Sequence, residues 1–142
     1  MKVDYRIKAS AGEVYETLLD SALAEARTHT GKQLTREDLI NGYKYHRKVR
    51  KGGQDQDVIV HIRKPVENRN IHIMTSYPRE SFEMDYQLEE IDDKRTLIHY
   101  QQINSNAKDK KTTLIFRWGM NRRFVQMEKY ITRARKEMSK KQ

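Results

Sequence analysis

The last part of the chain carries the pattern that most restricts its fold. Between residues 120 and 138, apolar side chains recur at steps of four, three, four, three and four: Met120, Phe124, Met127, Ile131, Ala134 and Met138. At about 100° per residue, this spacing places them in one stripe along a helix. The opposite side of that helix is basic: Arg122, Lys129, Arg133, Lys136 and Lys140. The apolar stripe needs a hydrophobic cover, and we expect the strands upstream to provide it.

The middle of the chain has a period of two, which is typical of half-buried strands. After a first strand near 3–7, we predict five more, over 43–50, 57–64, 70–77, 81–90 and 95–104. Gly52-Gly53 and Asp92-Asp93 supply turns between neighbouring strands. Because the connections are short and contain no helix, the sheet is predicted to be antiparallel.

The segment 112–118 allows two interpretations. It is rich in β-forming side chains, which favours a seventh strand, and this is our prediction. The alternative is a longer C-terminal helix kinked at Gly119. In an unbroken helix, Trp118 would point about 180° away from the stripe that contains Met127.

The residues after the first strand predict a helix. Ser10 and Glu13 have the spacing of a capping box, in which each side chain hydrogen-bonds the other residue's amide. Apolar residues continue at helical spacing to about Thr28, and Gly31 is a plausible stop. A second capping pattern begins at Thr35 and predicts a short helical turn.

Composition limits the class of protein. With 142 residues, we expect a single domain, 1–142. The charged share is 35%, against about 25% in typical domains, so the core is thin. There is no cysteine, which excludes disulfides and thiolate chemistry and fits a reducing compartment. No apolar run suits a signal peptide or a membrane span, so we expect a soluble cytoplasmic protein.

The net charge of +9 is concentrated in the last quarter of the chain. Residues 1–104 hold 17 basic and 17 acidic residues, whereas residues 105–142 hold 12 and 3. Any electrostatic partner is therefore expected on the C-terminal helix, its tail or the loop before it. No aromatic residues interleave with these charges, and no nucleic-acid motif is present, so specific nucleic-acid binding is not expected.

Two stretches carry a family resemblance. The opening segment 7–20, IKASAGEVYETLLD, resembles the start of helix-grip proteins, the START-like and polyketide-cyclase-like (SRPBCC) superfamily. There a strand runs into Ala-Pro-Ala and then Glu-Val-aromatic; here Ser10 replaces the proline and Tyr15 is the aromatic residue. The segment 39–45, LINGYKY, is similar to an uncharacterised bacterial branch of that superfamily.

The resemblance implies an α+β helix-grip fold. In it, a six- or seven-stranded antiparallel sheet curves around a long C-terminal helix, with one or two short helices after the first strand. It also implies a cavity between sheet and helix, usually for a small apolar ligand. It implies no particular ligand and no catalytic residue, because members share the pocket and not the chemistry.

Strand parity and the helix stripe suggest which side chains would line such a cavity. They are mainly aliphatic, thioether and tyrosine side chains: Tyr43, Tyr45, Val60, Ile73, Met84, Tyr86, Phe124 and Met127. An empty dry void of ~300 Å³ would cost very roughly 7 kcal/mol, comparable to the stability of a whole domain. Two outcomes therefore stay open: a small or partly hydrated pocket, and a mostly filled interior.

Histidines form the other candidate constellation. If the hairpin turns centre on 53–54 and 67–68, His46, His61 and His72 come together on the outward face of three strands. Three imidazoles can bind a transition metal, but nearby cations oppose this and a one-residue slip destroys the geometry. His99 can reach the interior by parity, yet it has no evident partner. We assign no metal, cofactor or catalytic residue.

The sequence thus predicts a binding domain, with an enzyme the least favoured class. We expect it to hold an apolar or amphipathic molecule between the sheet and the C-terminal helix. The alternative is an interaction module that uses the basic helix face to bind a protein or an anionic polymer. Ligand identity, oligomeric state and biological process stay open.

Overall fold

The computed structural model describes residues 1–104 and 112–140, with side chains from Ile115 onward in the last helix. In chain order the elements are β1 (Lys2–Ile7), α1 (Ala11–Thr30), α2 (Arg36–Ile40), β2 (Tyr43–Lys51), β3 (Gln54–Ile62), β4 (Asn70–Ser76), β5 (Ser81–Asp92), β6 (Arg95–Asn104) and α3 (Thr112–Lys140).

The strands form one antiparallel sheet in the order β1-β6-β5-β4-β3-β2. The described residues therefore contain a six-stranded version of the expected α+β helix-grip fold. The β2–β3 turn is a two-residue turn, since Lys51 pairs with Gln54. Gly52 and Gly53 between them have φ of 61° and 78°, a left-handed conformation that glycine adopts without steric cost.

The prediction of a seventh strand over 112–118 is wrong, because these residues begin α3. Two of the β-forming side chains are exposed, Ile115 at 72% and Trp118 at 68%, while Phe116 stacks on Tyr100 from the helix. Trp118 therefore faces away from the buried stripe, as an unbroken helix requires. The longer helix of the alternative is therefore confirmed, the kink at Gly119 stays a prediction, and β-propensity did not decide the local structure.

Local signals fix the start and the end of α1. The Ser10 hydroxyl accepts from the Glu13 amide at 3.1 Å, and the Ser10 amide donates to the Glu13 carboxylate at 3.0 Å. The capping box is therefore confirmed. Gly31, with φ of 67°, ends the helix by donating its amide to the Arg27 carbonyl.

The core lies between the inner face of the sheet and the apolar sides of α1 and α3. Met120, Phe124 and Ile131 of the predicted stripe are buried, while Met138 is 68% exposed. The sheet therefore covers the stripe through Ile131 and leaves the last turn uncovered. Phe124 stacks on Tyr5 of β1 with ring centroids 5.4 Å apart.

The C-terminal half of α3 is tied to the start of the chain by polar contacts. The Arg135 guanidinium pairs with the Glu13 carboxylate at 2.9 Å. The Lys8 amide donates to the Glu128 carboxylate at 2.9 Å. Both contacts lie after Met127 and hold the later turns of α3. Among the described residues, the turns before Met127 contact the rest of the domain through apolar side chains such as Met120 and Phe124.

In the described part of the chain, none of the helices has both the length and the apolarity to cross a membrane.

Candidate functional site

A cleft of about 380 Å³ lies between the inner face of the sheet, the second half of α1 and the first half of α3. We call it the sheet–helix cleft. Strands β2 to β5 supply its floor, including Val60, Ile62 and Ile71. Leu18 and Ala22 of α1 and Met120 of α3 supply its walls. The space beneath the final helix is therefore neither completely filled nor a small void.

Seven of the eight predicted lining residues border this cleft: Tyr45, Val60, Ile73, Met84, Tyr86, Phe124 and Met127. Tyr43 does not border it. Its ring lies 6.0 Å from the ring of Tyr45, and the side chain is half-buried at the margin of the core. Whether any of these side chains contacts a ligand stays a prediction.

The cleft opens to solvent, because some residues that line it are exposed. The Glu25 side chain is 64% exposed, and Arg123 of α3 is also exposed. Ser21, Arg123 and Met127 also line a second, shallower groove between α1 and α3. The opening therefore lies between these two helices, and water can enter. An open cleft avoids most of the cost of a dry void.

Two arginines line the cleft that the sequence prediction did not include, Arg47 and Arg123. Both could have been found. Arg47 has the same strand parity as Tyr43 and Tyr45, which places it on the inner face. Arg123 is three residues after Met120 and four before Met127, so it borders the same side of the helix. The predicted lining did not include them because both side chains are charged.

Arg47 is only partly satisfied. Its Nη1 atom lies 3.2 Å from Nε2 of His29 and 3.9 Å from the Glu25 carboxylate. Its Nε atom is buried and, within the described residues, has no hydrogen-bond partner. A buried donor without an acceptor costs about 1–3 kcal/mol. Arg47 therefore lies beside the cleft with one donor unused.

The tyrosines of the cleft and its surroundings remain neutral at physiological pH. Burial raises the pKa of Tyr45, with Arg47 opposing the effect. Burial also raises the pKa of Tyr86, and the charge of Arg123 opposes it. Burial, followed by the neighbouring Tyr86, raises the pKa of Tyr100, whose hydroxyl donates to Gln102 at 2.9 Å. Tyr45 and Tyr86 therefore present neutral hydroxyls.

Of the three histidines on the outer face, His61 and His72 are neighbours, because the β3–β4 register is the assumed one, whereas His46 is displaced from them. His46 pairs with Ile59, and His61 pairs with Lys44, because the β2–β3 register differs by two residues from the assumed one. Burial, Lys44, Arg63 and His72 lower the pKa of His61. Among the described residues, no group of three or more His, Asp or Glu side chains is arranged to hold a metal ion.

His99 lies on the outer face and not in the cleft. Its Nδ1 atom is 2.8 Å from the Asp4 carboxylate on β1, and its Nε2 atom is 2.9 Å from Glu89 on β5. The hydrogen bonds with Glu89 and Asp4 raise its pKa. The histidine therefore links three strands on the surface, and the parity that suggested an inward position does not hold for β6.

Comparison with protein families assigns the chain to a family of domains. Residues 1–119 match the model of a domain of unknown function, DUF3284, and the chain belongs to this family. The match covers the whole sheet and the first turns of α3. Among curated proteins, none matches the chain.

Solved structures show the same fold at low sequence identity. The protein TTHA0849 of Thermus thermophilus is 8% identical with a TM-score of 0.56, covering 94% of this chain and 97% of its own. Ara h 8.0201 is 8% identical with a TM-score of 0.54, covering 93% and 96%. An uncharacterised Rhizobium leguminosarum protein is 10% identical with a TM-score of 0.53, covering 94% and 93%. These matches confirm the helix-grip fold expected from the START-like and polyketide-cyclase-like resemblance.

Proposed function

We propose that this domain binds a small apolar or amphipathic molecule in the sheet–helix cleft. The observation that carries the proposal is the cleft itself. Its volume of about 380 Å³ falls in the range of about 300–1,000 Å³ that is usual for small-molecule sites. Its lining is mostly aliphatic, thioether and aromatic, with a few polar groups at the opening, which is the usual make-up of such sites.

The lining suits a ligand whose shape decides binding. Met84, Met120 and Met127 have flexible, polarisable side chains that adapt to an irregular apolar body. The Tyr45 and Tyr86 hydroxyls can donate to or accept from a polar group on the ligand. Among the described lining residues we assign no acid–base pair, so we propose binding without catalysis.

The arrangement of α3 suggests how a ligand enters. The polar contacts of Arg135 and Glu128 hold the later turns of the helix, whereas the turns around Met120 and Phe124 form the wall of the cleft. We propose that these earlier turns move outward when a ligand enters and close over it afterwards. Such a shift leaves the polar contacts of the later turns in place, and the bound ligand covers the apolar surface that the shift exposes.

The experiment is a binding measurement with a matched pair of variants. A neutral fluorescent dye that brightens in apolar surroundings is titrated into the wild type, Met127→Trp and Met138→Trp. Met127 lines the cleft, whereas Met138 carries the same side chain on the same helix and is 68% exposed. We expect Met127→Trp to fill the cleft and weaken binding at least about tenfold, a change of about 1.4 kcal/mol.

Met138→Trp should leave binding unchanged. Equal affinity in all three proteins, or no binding at all, would contradict the proposal. Native mass spectrometry of the purified protein provides an independent measurement, since a retained small molecule should appear as added mass that Met127→Trp loses.

A second candidate function rests on the basic side of α3. Arg122, Lys129, Arg133 and Lys136 are exposed and, among the described residues, none forms an ion pair within 4.0 Å. This surface could bind an acidic protein or an anionic polymer. Exchanging Arg133 and Lys136 for glutamate should abolish such binding and leave dye binding in the cleft intact, which separates the two functions.

A further inference from the structure

The charged groups around the opening narrow the class of ligand. This inference rests on the proposed function. We infer that the ligand is an amphipathic anion, with its apolar body in the sheet–helix cleft and a carboxylate at the opening held by Arg47 and Arg123.

Arg47 lies where an inward-facing strand residue is normally apolar. Its neighbours of the same parity are Tyr45, which is buried, and Val49, which is half-buried. The Arg47 side chain is 24% exposed, so other protein atoms cover most of it and a smaller part faces the open cleft. A guanidinium is tolerated in such a position when acceptors surround it.

The acceptors that Arg47 has are incomplete. The contact with His29 is to a neutral ring nitrogen or to a second cation, and the nearest Glu25 oxygen is 3.9 Å away. Glu25 itself lies closer to His29, at 3.2 Å. The Nε atom has no hydrogen-bond partner among the described residues but is covered by protein atoms, so Arg47 has an unused donor that a carboxylate would reach after the side chain turns toward the cleft.

Arg123 supplies the second positive charge. It lines the cleft from α3 and, among the described residues, has no carboxylate within 4.0 Å. Arg123 is exposed, as expected for a residue at the opening, and its charge opposes the burial that raises the pKa of Tyr86, another residue of the cleft lining. The Tyr86 hydroxyl is a further donor in the same space.

The balance of charge follows from these groups. Two guanidinium groups and one carboxylate, Glu25, line the cleft, so the opening carries a net positive charge. A neutral ligand would leave the Arg47 donors unsatisfied, and a cation would be repelled. A carboxylate satisfies both arginines while its apolar chain fills the space below.

The test compares three ligands with the same apolar chain: decanoate, decanol and decylammonium. Each is used to displace the neutral dye from the 142-residue protein at about 150 mM salt, where the Debye length is about 8 Å and general attraction to the +9 charge is screened. The same titrations are made on Arg47→Met, Arg123→Met and Arg122→Met. Arg122 is adjacent to Arg123 on α3, is exposed and does not line the cleft, so it is the matched control.

We expect the wild type to prefer decanoate over decanol by about tenfold or more, as charge-assisted hydrogen bonds provide. The preference should fall several-fold in Arg47→Met and in Arg123→Met and stay unchanged in Arg122→Met. Circular dichroism confirms that each variant is folded, and a variant that unfolds is replaced by Arg47→Gln or Arg123→Gln.

The remaining outcomes overturn the inference. Equal binding of decanoate and decanol would refute the anionic ligand and leave the apolar binding site standing. Failure of all three ligands to displace a bound dye, or absence of dye binding, would refute the proposed function as well. A decanoate preference that falls equally in Arg122→Met would assign it to general charge attraction and not to the two cleft arginines.

Discussion

Replacement of Phe124 by alanine tests whether α3 is held on the sheet as described. The side chain is 1% exposed and stacks on Tyr5 of β1, with ring centroids 5.4 Å apart and planes at 24°. It also meets Tyr100 of β6 edge to face, at 6.2 Å. Both contacts join the helix to the two strands at one side of the sheet, so this residue attaches the wall of the cleft to the sheet.

The expected magnitude follows from these contacts. Transfer of a phenyl side chain out of water contributes up to about 3 kcal/mol. Each aromatic pair adds about 0.5–1.5 kcal/mol beyond the buried area. Loss of these terms agrees with the about 3–5 kcal/mol that buried Phe→Ala substitutions usually cost. A domain of this size has about 5–15 kcal/mol in total, so Phe124→Ala should leave a marginally stable protein.

The assay is urea unfolding followed by far-ultraviolet circular dichroism, which reports the unfolding of the whole domain, α3 included. Phe124→Leu should lose about half as much as Phe124→Ala, because it keeps an apolar side chain in place. Val125→Ala is the control on the neighbouring residue, 37% exposed, and should change the free energy of unfolding by less than about 1 kcal/mol. A loss below about 1 kcal/mol in Phe124→Ala would refute the described packing of α3.

Three further predictions concern the surface and the helix ends. The pKa of His99 is raised by Glu89 and Asp4, so the wild type should be more stable than His99→Gln below about pH 6.5 and lose that advantage as pH rises through the folded-state pKa. Because the imidazole is 44% exposed, the difference in thermal unfolding should be below about 1 kcal/mol; an advantage that grows with pH would contradict it. Ser10→Ala removes the cap of α1 and should lower the free energy of unfolding in urea by about 1 kcal/mol. Ser10→Asp can still accept the capping hydrogen bond, so its free energy of unfolding should fall by less. Trp118→Ala should change stability by less than about 0.5 kcal/mol, and the emission of Trp118 should be that of an exposed indole; blue-shifted emission would place this residue in a core.

The sequence predicted those elements whose signals are local. The capping box at Ser10, the stop at Gly31 and the alternation of strands β2 to β5 are fixed by residues close together in the chain. The lining of the cleft followed from the same alternation, because parity and a helix stripe determine which side chains face each other. The sequence prediction missed the charge at the opening. Arg47 and Arg123 were left out of the predicted lining because they are charged, although their positions on the strand and the helix place them beside it.

The failures lie where contacts distant in sequence decide the structure. The parity of β6 is set by its pairing with β1, in which Val3 lies opposite Tyr100 and Tyr5 opposite Ile98. This pairing turns His99 outward. The register of the histidines depended on a turn that starts one residue earlier than assumed, at Gly52. The segment before Gly119 is part of α3, although its side chains favour strands. Local β-propensity therefore did not predict its structure.

The most direct test of the account is to locate the bound ligand by nuclear magnetic resonance. The methionine methyl groups serve as probes, because some lie in the cleft and others lie outside it. Of the six methionines, Met84, Met120 and Met127 line the cleft, whereas Met1, Met74 and Met138 do not. The protein is labelled with carbon-13 in its methionine methyl groups, and decanoate is added. Nuclear Overhauser effects between these methyl groups and the decanoate chain are then recorded. The account predicts effects from Met84, Met120 and Met127 and none from the other three. Effects confined to Met138, or bound decanoate without effects from the cleft methionines, would contradict it.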